Sequence, residues 1–512
     1  MSASTERKNR AAAREAGTDK KMLAQQEAEK KAAKSKRQWT VGTILVVLLL
    51  VVAILLNTGF LYKHTTAATV GNVRLSPAQL SYYYVNQYYT FLNQNGSYAS
   101  VFGLDTSGNI SALRNQDCMF LGEGEGSTWR DYFLQGALSS VRQIYALKAY
   151  ANANGITLDE SELADIDADF EDARISAQRN GFSRLDNFFA AQYGTGATAK
   201  LVRSLVEDGT LASKVIDLYA DSLSYDEQQL EEYYANLNGS ADYYDYDYYY
   251  VSGTTEDGAT EQSMLEARMT AEAIAMSFRD GADIDDLSER FAAALEAEDD
   301  TAAPVQRRSA VGSGLGDLGE WLRDSARVSG DITVLEDANA EGYYVALFLN
   351  RDDNHYPTVS VRHILIKAEA SEDGTYSEEA KLAALERINE IMDEFDATDR
   401  SEDSFAALAN QYSQDEGSNT TGGLYENLYK NATVTEFNDF CFAPHKSGDL
   451  GVVYGENGSY AGYHLIYFVG EGELYSNLIA RSDLQNEDVS AFITEQTDAN
   501  EAQLRFFSKL VG

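Results

Sequence analysis

At 512 residues, with 44% apolar and 11% aromatic side chains, the chain holds material for several globular domains rather than one continuous core. Its formal charge of −40 argues against DNA or RNA as a partner, because an acidic surface repels phosphate. Only Cys118 and Cys441 are present, far apart and in different predicted domains, so two unpaired thiols are expected over a disulfide, although an exterior location permits a bridge.

Residues 1–38 carry eleven Lys or Arg against five Asp or Glu and almost no large apolar side chain, which predicts a solvated basic arm and leaves −46 for the rest of the chain. Residues 39–62 follow, from Trp39 through Ile44-Leu-Val-Val-Leu-Leu-Leu to Tyr62. No charge interrupts about 23 residues, enough to cross a hydrocarbon core of roughly 30 Å. The Lys/Arg cluster before the span predicts one transmembrane helix with its N-terminus cytoplasmic and the remaining chain extracytoplasmic. A cleaved signal peptide is the competing reading, but its apolar run would be shorter and would end in a small-residue cleavage site.

Residues 63–240 are predicted to form a helical domain. Ser76-Pro77 supplies a cap and a first-turn proline, Asn154-Gly155 stops a helix, and Thr157-Leu-Asp-Glu-Ser-Glu-Leu opens the next. Beyond it the chain repeats itself. Ser329-Gly-Asp-Ile and Gly342-Tyr-Tyr-Val-Ala-Leu-Phe-Leu are matched by Ser447-Gly-Asp-Leu and Gly462-Tyr-His-Leu-Ile-Tyr-Phe-Val. The helical face Ile284, Leu287, Ser288, Phe291 parallels Phe405, Leu408, Ala409, Tyr412, and each unit opens on a β-rich run, Tyr246–Val251 or Val359–Ile366. The predicted class is therefore multidomain α+β, with tandem modules at 241–353 and 357–473. A C-terminal helical stretch, 474–512, is too small to fold alone and is expected to dock on the helical domain at 63–240.

Of the five histidines, His363 and His464 fall within predicted paired strands of the second module, a selective placement, whereas His355 and His445 read as loop residues. A lone strand histidine is more often a hydrogen-bonded structural residue; two together favour a site. No metal-ligand cluster, phosphate loop or Gly-x-Ser-x-Gly elbow occurs, so no metal or other cofactor is expected.

Six blocks in order, Val361-Arg-His-Ile-Leu, Phe405-Ala-Ala-Leu-Ala-Asn-Gln-Tyr-Ser-Gln-Asp415, Gly422-Gly-Leu, Glu436-Phe-Asn-Asp-Phe-Cys-Phe442, Ser447-Gly-Asp-Leu and Gly462-Tyr-His-Leu-Ile, resemble the signature of the parvulin-type peptidyl-prolyl isomerases. The resemblance implies that His363 and His464 are the paired core histidines and Asp415 the acidic or thiol position. It further implies that Leu424 and Phe437 line the pocket for the proline ring and that Phe442 is a packing aromatic beside it. Thr433 stands where the family usually has a Met, Ala461 where it often has a hydroxyl, and the usual Gly-Gly-Asp-Leu-Gly is read as shortened.

The first module has Tyr344 where the second has His464 and contains no histidine, so it is predicted to be a degenerate parvulin unit. Its Tyr243–Tyr250 run is expected either to present aromatics to a client or to pack a sheet face. Val70-Gly-Asn-Val, the Ala149–Leu163 stretch and Tyr225-Asp-Glu-Gln-Gln-Leu-Glu-Glu-Tyr-Tyr resemble the N-terminal chaperone domain of SurA- and PrsA-type foldases. Together these resemblances imply a membrane-anchored isomerase and chaperone for exported, partly unfolded proteins with X-Pro bonds. The alternative is a parvulin-fold holdase that binds such clients with weak turnover or none.

Overall fold

The computed structural model describes the chain except for residues 1–2, 18–23, 25–30, 32–33, 35, 37–38, 51–57, 123–126, 256–257, 277–305 and 372–373. It is a multidomain α+β structure that divides into two units, Met1–Leu223 with Asp488–Gly512, and Ser224–Glu487.

The first unit is mainly helical. Strands β1 (Ala68–Val70) and β2 (Val73–Leu75) are followed by α1 (Pro77–Asn95), α2 (Trp129–Asn154), α3 (Glu160–Arg179), α4 (Leu185–Tyr193) and α5 (Ala199–Ser222). Side chains that replace the missing intrahelical partners set the helix starts. Ser76 accepts from the Gln79 amide while Gln79 reaches back to Ser76, with Pro77 in the first turn. Asp159 and Glu162 repeat that exchange at α3, and Gly155, at φ 69°, ends α2 in the left-handed region.

Helix α2 packs against both α1 and α5, and Trp129, Phe133 and Tyr84 are fully buried between them. Each such ring contributes about 2–3 kcal/mol by leaving water. The end of the chain belongs to this unit: strand Ala502–Leu504 pairs antiparallel with β1, and Phe492 stacks on Tyr219 at 4.1 Å. The unit also carries an exposed apolar cluster in which Tyr98 and Phe120 flank Phe102, with Val101 and Met119 beside a cavity of about 670 Å³.

Residues 39–50 are helical, with Ile44, Leu45, Val47, Leu49 and Leu50 exposed. Among the described residues no helix is long and apolar enough to cross a membrane, and residues 51–57 of the predicted span lie outside them.

The second unit opens with α6 (Glu227–Asn236). The sequence reading placed this helix with the helical domain, but Tyr234 donates to Asp242 and accepts from Asn354, both in the second unit. The unit then builds two sheets of the same design. The first has β3 (Tyr243–Ser252), helix α7 (Glu261–Met276), β4 (Gln306–Val311), β5 (Ile332–Glu336) and β6 (Gly342–Asp352), in the order β4-β3-β6-β5.

The second sheet has β7 (Pro357–Lys367), α8 (Glu378–Asp396), α9 (Glu402–Tyr412), β8 (Leu424–Leu428), α10 (Thr435–Phe442), β9 (Leu450–Asn457) and β10 (Tyr460–Leu474), ordered β8-β7-β10-β9. All pairings in both sheets are antiparallel. The predicted helical face Ile284–Phe291 lies outside the described residues.

In the second sheet β7 buries apolar side chains on both faces because both are covered. Helices α8 and α9 bury Ile364 and Ile366 on one side, and α10 buries Val359 and Val361 on the other through Phe437 and Cys441, four residues apart on one helical face. Helix α11 (Tyr475–Asp498) starts in this unit.

Candidate active site

The α10 face of the second sheet holds the histidines. In the β7–β10 register Ile466 lies opposite His363 and Leu365 opposite His464, so the two imidazoles are diagonal neighbours on one face. Both are buried, stacked at 5.3 Å between centroids and 24° between planes, with Nδ1 of one 3.1 Å from Nδ1 of the other. Phe437 meets His363 and His464 nearly perpendicularly, at 5.4 and 5.2 Å, and so fixes both rings from below.

Asp415 completes the chain. Its Oδ2 lies 3.0 Å from His363 Nε2 and accepts from Ser418 Oγ at 2.5 Å and Tyr425 OH at 2.9 Å. Those donors, the His363 imidazole first, hold its carboxyl well below the usual carboxylate range against the opposing effect of burial. Burial pulls His464 down to about 3, helped by the neighbouring His363 and opposed by Asp415. His464 is therefore neutral at physiological pH.

The loop that carries Asp415 is stitched to the edge of β7. Gln414 N–H donates to the Leu365 carbonyl, the Leu365 N–H to Ser413 Oγ, and the His363 N–H to the Gly423 carbonyl. Arg362, on the opposite face, donates to Glu402 and to the Thr421 and Gly422 carbonyls. Gly423 has φ +70°, and a Cβ there would stand 2.2 Å from the His363 carbonyl oxygen, so only glycine permits this approach.

These groups open on a cavity of about 410 Å³ lined also by Leu365, Ala432, Thr433, Val434, Asn457 and Tyr460. His363, Asp415, His464, Phe437 and Thr433 are thus gathered at one place. Leu424 and Phe442 do not line it. Leu424 pairs with Arg362 and takes the opposite face of the sheet, while Tyr425, opposite Val361, turns into the cavity and lies against His363 at 4.7 Å. Leu424, expected from the sequence to line a pocket, therefore faces away from this cavity, and the next residue lines it. Phe442, at the end of α10, packs edge-on against Tyr356 at 5.8 Å.

Ser418, Tyr425 and Tyr460 were not singled out from sequence. A hydroxyl facing His464 was sought at position 461, where Ala461 stands, whereas Tyr460 brings its OH to 3.0 Å from His464 Nε2. The signal that could have found it is strand alternation: residues 460, 462 and 464 share a face, and 461 does not.

No thiol chemistry suits the site. Cys441 lies buried in the core under the sheet, where desolvation pushes its pKa up to about 12. Among the described residues no group of acidic, histidine and cysteine side chains could hold a metal ion.

In the first module the register places Tyr248 opposite Ala346, as His363 lies opposite Ile466, and Tyr344 two residues before Ala346, as His464 lies before Ile466. Both histidine positions are therefore tyrosines, 5.9 Å apart and edge to face.

Residues 344–470 match the family model of the PPIC-type PPIase domain, a segment that takes in the histidine pair, Asp415 and Phe437. The chain is similar to the solved structure of the peptidylprolyl isomerase PrsA from Bacillus cereus, at 18% identity over 48% of this chain and 88% of that one, with a TM-score of 0.19. It is similar also to the foldase protein PrsA from Streptococcus pneumoniae, at 11% identity over 74% and 92%, TM-score 0.25. A third similarity is to a SurA-like chaperone of Campylobacter jejuni, at 15% identity over 61% and 90%, TM-score 0.17. Such low TM-scores establish no shared arrangement of the whole chain. No curated protein matches the sequence.

Proposed function

We propose, from the premise that this chain carries a parvulin-type peptidyl-prolyl isomerase domain, that the cavity beneath His363 and His464 binds the proline ring and lowers the barrier to X-Pro rotation. The observation that carries this reading is the continuous chain Asp415–His363–His464, one side of it resting on Phe437 and open to a cavity. Rotation about the amide must cross roughly 18–20 kcal/mol of lost resonance and breaks no bond. A site accelerates it by binding the twisted amide better than the planar one. Phe437, Val434 and Leu365 supply apolar wall for the ring, and the polar chain places oriented N–H and O–H dipoles beside the rotating carbonyl.

The wider reading is a foldase that serves exported, partly unfolded proteins at the outer face of the cytoplasmic membrane. The uncharged span of residues 39–62 and the exposed apolar side chains of residues 39–50 support a single-pass anchor. The Tyr98, Val101, Met119 and Phe120 surface of the first unit suits apolar stretches of unfolded chain. The test is acceleration of cis/trans exchange in X-Pro peptides by the full chain in mild detergent. A folded preparation with no acceleration for any residue before proline rejects the isomerase reading. A holdase with weak turnover or none is favoured by one observation, the polar Thr433 and Tyr425 in the ring pocket, and its sign is aggregation suppression unchanged when both histidines are replaced.

A further inference from the structure

Tyr460 opens β10 directly across the hairpin from Asn457, whose Oδ1 accepts from the Ser459 and Tyr460 amides and so fixes the turn. Its ring meets His464 edge to face at 5.7 Å, its OH lies 3.0 Å from His464 Nε2, and burial keeps the phenol protonated. On the adjacent strand a Cβ at Gly455 would stand 3.0 Å from that same nitrogen, so glycine leaves the room in which the phenol and imidazole meet.

The donors and acceptors along the chain are compatible with one arrangement when both imidazoles are neutral. The Asp415 carboxylate only accepts, and Ser418 Oγ, 3.2 Å from His363 Nε2, donates its proton to that carboxylate, so His363 must carry its proton on Nε2 and present a bare Nδ1. His464 must then donate from Nδ1, which leaves its Nε2 bare, and among the described residues the donor facing that nitrogen is Tyr460. Reversing the direction would set the bare Nε2 of His363 against a carboxylate.

We propose that Tyr460 is a positioning residue that fixes the tautomers of both histidines from the rim of the cavity. The inference deepens the isomerase reading and rests on it for its kinetic arm alone. The test is imidazole ¹⁵N chemical shifts of the full chain labelled at histidine, together with peptide isomerisation, for the wild type, Tyr460→Phe and a fluorinated tyrosine at position 460. At a pH where both rings are neutral, the wild type should show Nδ1–H at His464 and Nε2–H at His363. Tyr460→Phe should give a mixed tautomer at His464 and a kcat about tenfold lower at similar KM, the effect of one buried hydrogen bond. The fluorinated ring, a stronger donor of the same shape, should keep the wild-type tautomer and shift the Nε2 resonance further. Unchanged shifts in Tyr460→Phe, or a Nε2–H tautomer in the wild type, would overturn the assignment. Should Tyr460→Phe unfold, the fluorinated chain decides it alone. If the wild type lacks isomerase activity, the shifts still judge Tyr460, and the failure belongs to the functional reading.

Discussion

Lowering the pH from 7 to 5 should loosen the sheet around the histidine pair, with His464 responsible for most of the loss. Its folded pKa is depressed to about 3, chiefly by burial, against roughly 6.5 for an unfolded histidine. The unfolded chain therefore takes up a proton below about pH 6.5 that the folded chain refuses until near pH 3. Stability from this group is fully present above that window and falls as pH drops through it, at about 1.4 kcal/mol per unit. Between pH 7 and 5 the loss is about 2 kcal/mol, or roughly thirtyfold in an opening equilibrium. Asp415 acts in the same direction, since its folded pKa is also depressed, but its window opens only below about pH 4. The assay is amide hydrogen exchange of β7 and β10 peptides at both pH values, corrected for intrinsic rates, in the wild type and His464→Gln. Protection should fall about thirtyfold in the wild type and far less in the variant. Equal protection at the two pH values, or an equal fall in both proteins, would refute the reasoning.

Three further outcomes follow from the geometry. Gly423→Ala should cost more than about 2 kcal/mol by chemical denaturation and remove activity, because it combines a left-handed backbone with a Cβ 2.2 Å from the His363 carbonyl; Gly374→Ala, at φ +80° with nothing within 4 Å, should cost about 1 kcal/mol and leave activity intact. Thr433→Met should raise kcat/KM on an X-Pro peptide up to about tenfold by adding apolar contact to the ring, and Phe437→Ala should lower it while costing about 3–5 kcal/mol in thermal or chemical unfolding. A full chain carrying both His363→Ala and His464→Ala should show only the uncatalysed rate in the peptide assay, because the matching positions of the first module are Tyr248 and Tyr344.

The modular plan was legible because repetition survives divergence. The paired Ser-Gly-Asp and Gly-Tyr blocks mark the repetition in sequence, and the two four-stranded sheets of the second unit have the same strand order. Helix ends were readable where a side chain does the capping, as at Ser76 and Asp159. The attachment of α6 was not, because it depends on Tyr234 reaching Asp242 and Asn354, contacts that no local pattern of Leu, Glu and Tyr announces.

The site was legible in proportion to the rarity of its residue types. Two of five histidines in matching strands stand out, whereas Tyr425 and Tyr460 are two of 33 tyrosines and carry no mark of their own. What distinguishes them is parity along a strand. Leu424 and Tyr425 differ by one residue, and the β7–β8 register decides that Tyr425 faces the cavity while Leu424 faces away. Once that register is fixed, the chemistry changes with it. A leucine would have given the cavity an inert apolar wall. The tyrosine instead lays its ring on His363 and donates its hydroxyl to Asp415, so one side chain both walls the cavity and satisfies the carboxylate that ends the hydrogen-bonded chain. Tyr460 does the same at the other end. The histidine pair is thus held between two phenols, one laying its ring on His363 and the other bringing its hydroxyl to His464.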